Sequence, residues 1–177
     1  MVTYPGTLDW QTSLADLVAE PVAQALQGWP STPQVRAAAI DAGLADTAEF
    51  CAHYGVDLAD SANCVVIAGR RGSTVSYAAC VILATTRADV NGTVRRRLGA
   101  KKASFAAMDE AVALSGMEYG GITPIGLPSD WPLLVDSAVL QRDIAVIGSG
   151  LRRSKLALPG SALGELPSVE VIDGLAG

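Results

Sequence analysis

A chain of 177 residues, half of them hydrophobic and only 5% aromatic, is long enough for one domain with a substantial core and suits helices packed closely on a sheet. A net charge of −5 excludes a protein that coats nucleic acid by bulk electrostatics. One histidine, His53, and three cysteines, Cys51, Cys64 and Cys80, at spacings that match no zinc or redox motif, leave little material for imidazole triads or metal centres, so neither metal nor cofactor is expected.

No apolar run approaches the roughly eighteen residues that cross a bilayer, and the N-terminus lacks a basic stretch followed by an apolar one. A cytoplasmic protein is expected, with no membrane and no DNA partner. From about residue 8 to 27, Leu8, Leu14, Leu17, Val18, Val22, Ala25 and Leu26 fall at helical spacings, with Pro21 as a break or a new start. Gly28 to Pro33 reads as a turn into a second helix, capped by Thr32, that runs to about Ala42. A third helix spans Asp46 or Thr47 to Tyr54 and closes at Gly55; His53 sits in it in a surface or capping role. The N-terminal third is thus expected to be mainly helical.

The period changes at Asn63. Asn63 to Ala68 reads as a strand, Gly69-Arg70-Arg71-Gly72-Ser73 as a turn and Thr74 to Leu83 as a second strand, which makes a hairpin. Asp89 to Leu98 is a short helix ending at Gly99, Ala103 to Phe105 a brief strand, and Asp109 to Leu114 a helix that stops at Gly116. Beyond a glycine loop come a strand at Leu133 to Val135, a helix at Ser137 to Leu140 and a strand at Ile144 to Ile147. A strand near Lys155 to Leu158, a helical turn at Ser161 to Leu166 and a last strand at Val169 to Ile172 follow. The fold class is α/β on a mixed sheet.

The loop from Gly116 to Gly126, Gly-Met-Glu-Tyr-Gly-Gly-Ile-Thr-Pro-Ile-Gly, is too rich in glycine to fill a core. Either it is a long turn from helix to strand, or its bare backbone at Gly120 and Gly121 admits a ligand, with the N–H groups of Gly121 and Ile122 aimed at a carbonyl or oxyanion and Pro124 stiffening the exit. Asp136, at the end of an apolar strand, reads equally as the cap of the helix after it or as a pocket carboxylate. Gly148-Ser149-Gly150 is a tight corner whose serine could bind a ligand. No dinucleotide, P-loop or nucleophile-elbow fingerprint follows any strand. Arg95-Arg96-Arg97 with Lys101-Lys102, and Arg152-Arg153 with Lys155, are basic clusters that are either solvated faces or a phosphate-facing side.

Taken in order, Gly99 with its basic pair, Gly116…Gly120-Gly121-Ile122-Thr123-Pro124-Ile125-Gly126, Val135-Asp136, and Gly148-Ser149-Gly150-Leu151-Arg152-Arg153-Ser154-Lys155-Leu156 resemble the YbaK/prolyl-tRNA synthetase-associated editing-domain family from about Thr47 to Ile172. The resemblance implies a mixed, barrel-like curled sheet flanked by helices, with residues 1–45 as a helical extension packed on an editing domain of residues 46–177. It implies a trans-acting deacylase that hydrolyses the ester of a mischarged tRNA, metal-free and assisted by the substrate's own ribose hydroxyl. Its partners would be the tRNA acceptor end and an aminoacyl-tRNA synthetase.

Site residues follow from the same resemblance. Asn63, Gly121 and Ile122 would be catalytic, and Gly120, Thr123, Pro124, Asp136, Gly148 and Ser149 would bind substrate. Arg95, Arg96, Arg152, Arg153 and Lys155 would contact tRNA. One departure stands out: where many members carry a lysine that holds the substrate carbonyl or terminal phosphate, this chain has Asn63, a neutral amide. Either Asn63 donates in its place, another cation replaces the lysine, or the module binds tRNA ends or amino-acid-like ligands without hydrolysis. Strand alternation sets Cys64 on the face opposite Asn63, which argues against a cysteine nucleophile.

Overall fold

The computed structural model describes residues 2–177. Its strands are β1 (Arg36–Ala39), β2 (Ala62–Arg71), β3 (Thr74–Leu83), β4 (Lys102–Phe105), β5 (Leu133–Asp136), β6 (Ala145–Gly148), β7 (Ser154–Leu158) and β8 (Val169–Ile172). Its α-helices are α1 (Glu20–Leu26), α2 (Thr47–Tyr54), α3 (Arg95–Arg97), α4 (Met108–Ser115) and α5 (Ser137–Leu140).

The β2–β3 hairpin is the longest pairing, in register from Ala62 opposite Leu83 to Arg71 opposite Thr74. The expected turn is shorter than the glycines imply, because β2 continues through Gly69. A Cβ at Gly69 would stand 2.9 Å from side-chain atoms of both Leu98 and Ala100, so that glycine serves close packing, and Gly72, at φ 61°, makes the turn. Around the hairpin the strand order is β4-β2-β3-β5-β8, with β5 parallel to both β3 and β8. A second, antiparallel sheet has the order β1-β7-β6, and a single parallel bridge between Ser61 and Val146 links it to the first. The sheet is therefore mixed and split in two, and no closed barrel forms among the described residues.

The N-terminal third corrects the helical expectation. Helix is confined there to one 3₁₀ turn at Ala15–Leu17, to α1 with Pro21 in its first turn, and to short 3₁₀ turns at Thr32–Gln34 and Ala42–Leu44 before α2 begins. Arg36-Ala37-Ala38-Ala39, expected within the helix capped by Thr32, is strand β1 and pairs with β7 from Arg36 opposite Ala157 to Ala39 opposite Ser154. A helix that short is marginal alone, whereas a place in the sheet satisfies its backbone and buries Ala37 and Ala38 completely. Helix α2 forms as expected and ends at Gly55 in the left-handed region, with His53 exposed and edge-on to Tyr54.

The loop from Gly116 to Gly126 lies along the corner Gly148-Ser149-Gly150. Glu118 donates its N–H to the Gly150 carbonyl at 2.8 Å, and Gly150 donates to the Gly121 carbonyl at 2.7 Å. A Cβ on Gly148 would stand 2.6 Å from the Gly121 oxygen and 2.8 Å from that of Ile122. A Cβ on Gly126 would meet the Pro21 oxygen at 2.5 Å, which brings the start of α1 against the same loop. Gly148→Ala is accordingly expected to destabilise the fold by about 1–3 kcal/mol, as overpacking does, seen as a lower urea midpoint with unchanged slope.

Candidate active site

Strand β4 covers one edge of β2 only from Ile67 to Arg70, and the bridge at Ser61 touches it further back. The stretch of β2 edge between these contacts faces a cavity of about 530 Å³. Val66 and Arg70 turn their carbonyls to the β4 side, accepting from Ala106 and Lys101 at 2.9 Å each. By the two-residue alternation of the ladder, the backbone of Cys64 projects to that same uncovered edge. The cavity therefore runs along an edge of the sheet, which is why Asn63 and Cys64 both line it although their side chains leave opposite faces.

Asn63 is held by α2: its Oδ1 accepts from the Thr47 hydroxyl at 2.7 Å. Its amide N–H₂ has no partner among the described residues, so the group offered to the cavity is a donor. Lys155, on β7 opposite Gly148, also lines the cavity and is only 8% exposed. Its Nζ donates to the Ala45 carbonyl at 3.1 Å and stands 5.1 Å from the centre of the Phe50 ring. Burial pulls this ammonium below the ordinary lysine range; Cys51 and Asp46 pull it back up, and Arg152 pushes it down.

The thiols do not supply a nucleophile. Burial pushes Cys80 up to about 12, raises Cys64 with Cys80 adding to it, and raises Cys51 as well, so all stay protonated at neutral pH. Among the described residues no cluster of three or more His, Cys, Asp or Glu side chains is arranged to hold a metal ion. No helix among them is long and apolar enough to cross a membrane.

Several expected site residues lie elsewhere or are already engaged. Gly120, Ile122 and Gly148 line the cavity. Gly121 does not, and its N–H, expected as an oxyanion donor, is committed to the Glu118 carbonyl at 2.9 Å. A Cβ there would lie 2.7 Å from the Leu151 backbone, so Gly121 is glycine for packing. The Ile122 N–H, by contrast, has no partner among the described residues. Thr123 is fully buried outside the cavity, its hydroxyl unpartnered, and Pro124 faces a separate cavity beside Trp29 and Trp131. Asp136, 3% exposed, neither lines this cavity nor caps α5 through its side chain. Ser149 Oγ pairs with Ser154 Oγ at 2.7 Å and ties the corner to β7.

The basic residues separate in the same way. Arg152 bonds the carbonyls of Tyr119 and Ala42, each at 3.1 Å, beside the cavity, and Arg153 is exposed. Arg95 shares a surface groove with Arg70, Lys101 and Lys102, and Arg96 is exposed nearby. Lys155, expected with the arginines on the tRNA side, is instead turned inward. The signal that marks it is a lone charge inside the apolar strand Lys155-Leu156-Ala157-Leu158, opposite a glycine.

A model of the aminoacyl-tRNA editing domain family matches residues 41–166. No curated protein shows significant similarity. The crystal structure of a hypothetical protein superposes with a TM-score of 0.76 at 23% identity, over 89% of this chain and 100% of that one. A candidate trans-editing enzyme for prolyl tRNA synthetase gives 0.70 at 20% identity, over 87% and 96%. A candidate signal transduction protein from Marinobacter aquaeolei VT8 gives 0.53 at 19% identity, over 88% of this chain but only 30% of that one. These likenesses establish a common fold, and the family model covers the loop, the corner and the cavity between them: the chain belongs to the aminoacyl-tRNA editing domain family.

Proposed function

We propose that this protein is a trans-acting deacylase that hydrolyses the ester linking a wrongly attached amino acid to the 3′ end of a tRNA. The observation that carries the reading is the open cavity along the β2 edge, lined by Asn63 and Ile122, whose amide donors have no partner among the described residues. A domain that served only for protein contacts would have no need of such a cavity, and side chains would be expected to fill it.

An aminoacyl ester is already activated, and a ribose hydroxyl adjoins its carbonyl. The substrate can thus relay protons itself while the protein positions ester and water and stabilises the developing charge. This fits a cavity with neither imidazole nor a low-pKa thiol. Asn63 and Ile122 take the catalytic positions in this reading, and Gly120 and Gly148 shape the space beside them. Gly121, Thr123, Pro124, Asp136 and Ser149 support the fold around it.

At the mouth, Phe105, Met108 and Tyr119 are 64%, 54% and 53% exposed and line the cavity. Large apolar side chains so placed give unpaired bases of a single-stranded 3′ end something to stack on. The groove of Arg70, Arg95, Lys101 and Lys102 continues along the same sheet edge, roughly 13 Å beyond Val66 at the rise of an extended strand. It and the exposed Arg96 and Arg153 are assigned to the phosphates of the acceptor stem, while Arg152 braces the loop between them. The similar structure described for prolyl tRNA synthetase makes that enzyme the first partner to test, and a cytoplasmic setting follows from the reading.

The second reading is a module that binds the aminoacyl end without hydrolysis, favoured by Asn63 in the lysine position and by the closed Gly121 amide. Incubation with proline tRNA and other tRNAs mischarged with Ala, Ser, Cys or Thr is expected to release amino acid from at least one; survival of every ester would favour binding alone. If the parent is inert, Asn63→Lys should confer release. Cys64→Ala is expected to keep the parent's rate, since a protonated thiol takes no part. Tyr119→Ala and Phe105→Ala should each raise KM about 5- to 100-fold, the value of one lost stacking contact, and Arg95→Ala with Lys102→Ala should flatten the dependence of KM on salt.

A further inference from the structure

Lys155 is an expensive residue in its place. A lysine so deeply buried is ordinarily neutralised by a carboxylate or surrounded by acceptors. Here Nζ has one carbonyl and one aromatic face, and no carboxylate lies within ion-pair distance among the described residues. An ammonium has three N–H donors, so two are without a hydrogen-bond acceptor among the described residues.

Among the described residues the same side chain is the one cation lining the cavity, where Asp46 is the one acid. Gly148, its partner across the strand pair, lines the same cavity. Asn63 lines that cavity from β2 with its free amide donor. Two unfilled donor groups from separate strands, one of them charged, thus border one solvent-accessible space.

We infer that Lys155 is the cation that receives the acyl carbonyl oxygen as hydrolysis turns it into an oxyanion, with the Asn63 amide as the second donor. The assignment rests on the deacylase reading and adds to it a catalytic residue that no surface argument supplies. Water adds to the carbonyl carbon, and the C=O π pair moves onto oxygen, where the ammonium meets the new charge. When that pair returns, the bond from carbon to ribose oxygen breaks and its electrons leave on that oxygen. The ribose oxygen takes the proton lost by water, passed through the neighbouring hydroxyl. Lys155 remains protonated throughout and donates without transferring.

The test is Lys155→Met, of similar length and uncharged. Single-turnover deacylation of the best mischarged tRNA should fall about 100-fold or more, as when an oxyanion donor is removed, with KM little changed. The thermal midpoint should rise near neutral pH, because an uncompensated buried charge is gone. That gain should shrink toward pH 10. Above its depressed folded pKa the parent's lysine is neutral while the unfolded chain stays protonated, so the parent gains stability with pH over that window. A variant that deacylates at the parent's rate overturns the assignment whatever its midpoint.

Two inert analogues of aminoacyl-adenosine separate this assignment from the reading beneath it: an anionic aminophosphonate ester that mimics the oxyanion, and a neutral amide. The parent should prefer the phosphonate, and Lys155→Met should lose that preference by tenfold or more. Equal preference in the two proteins removes Lys155 from the oxyanion site even if the parent is an active deacylase. A parent that hydrolyses no ester and binds neither analogue overturns the deacylase reading and the assignment together.

Discussion

The hydrogen bond from Gly150 to the Gly121 carbonyl, 2.7 Å long, joins two glycine segments that lie far apart in sequence, and the site depends on it. With its companion from Glu118 to Gly150, it seats the loop on the end of β6 and the start of β7. Only glycine permits so close an approach at Gly121 and Gly148, where any Cβ would meet backbone. Arg152 secures the arrangement: its N–H reaches the Glu118 carboxylate at 2.8 Å while its guanidinium holds the Tyr119 and Ala42 carbonyls. Gly120, Ile122, Gly148 and Lys155 come to border one space because these backbones cannot slide past each other.

The cavity itself arises from incomplete pairing. β4 is only four residues long against a ten-residue β2, and the one bridge to the second sheet among the described residues lies at Ser61, just before β2 begins. An uncovered strand edge is normally a liability, open to pairing with another chain. Here residues of α2, the glycine loop and the exposed side chains of Phe105, Met108 and Tyr119 border it. Backbone groups in such a place are preorganised donors and acceptors, held by the sheet on their other edge.

Much of the architecture was legible because local chemistry and tertiary context agree. The β2–β3 hairpin follows from the change of period at Asn63, and α2 from Thr47 to the stop at Gly55. Where the two conflict, tertiary pairing prevailed: Ala37-Ala38-Ala39 favour helix alone, yet their small side chains suit the crowded ground beside β7. The corner at Gly148-Ser149-Gly150 was legible as a tight turn, but that the hydroxyl of Ser149 bonds Ser154 was not. Asp136 left two readings open in the sequence; it stands at the N-cap position of α5 without a side-chain capping bond, and it does not line the cavity.

By itself the sequence determined the punctuation of the chain, the order of most elements and, through the joint pattern of its glycine segments, the editing-domain resemblance, since all of these depend on residues near one another. Only the tertiary structure decided that the Gly121 amide is closed within its own loop, that the β2 edge stands open, and that Lys155 faces inward. Those outcomes are contacts between distant segments, as with Lys155 and the Ala45 carbonyl 110 residues earlier. A basic residue beside two arginines looks like surface until the strand it belongs to is placed against a cavity.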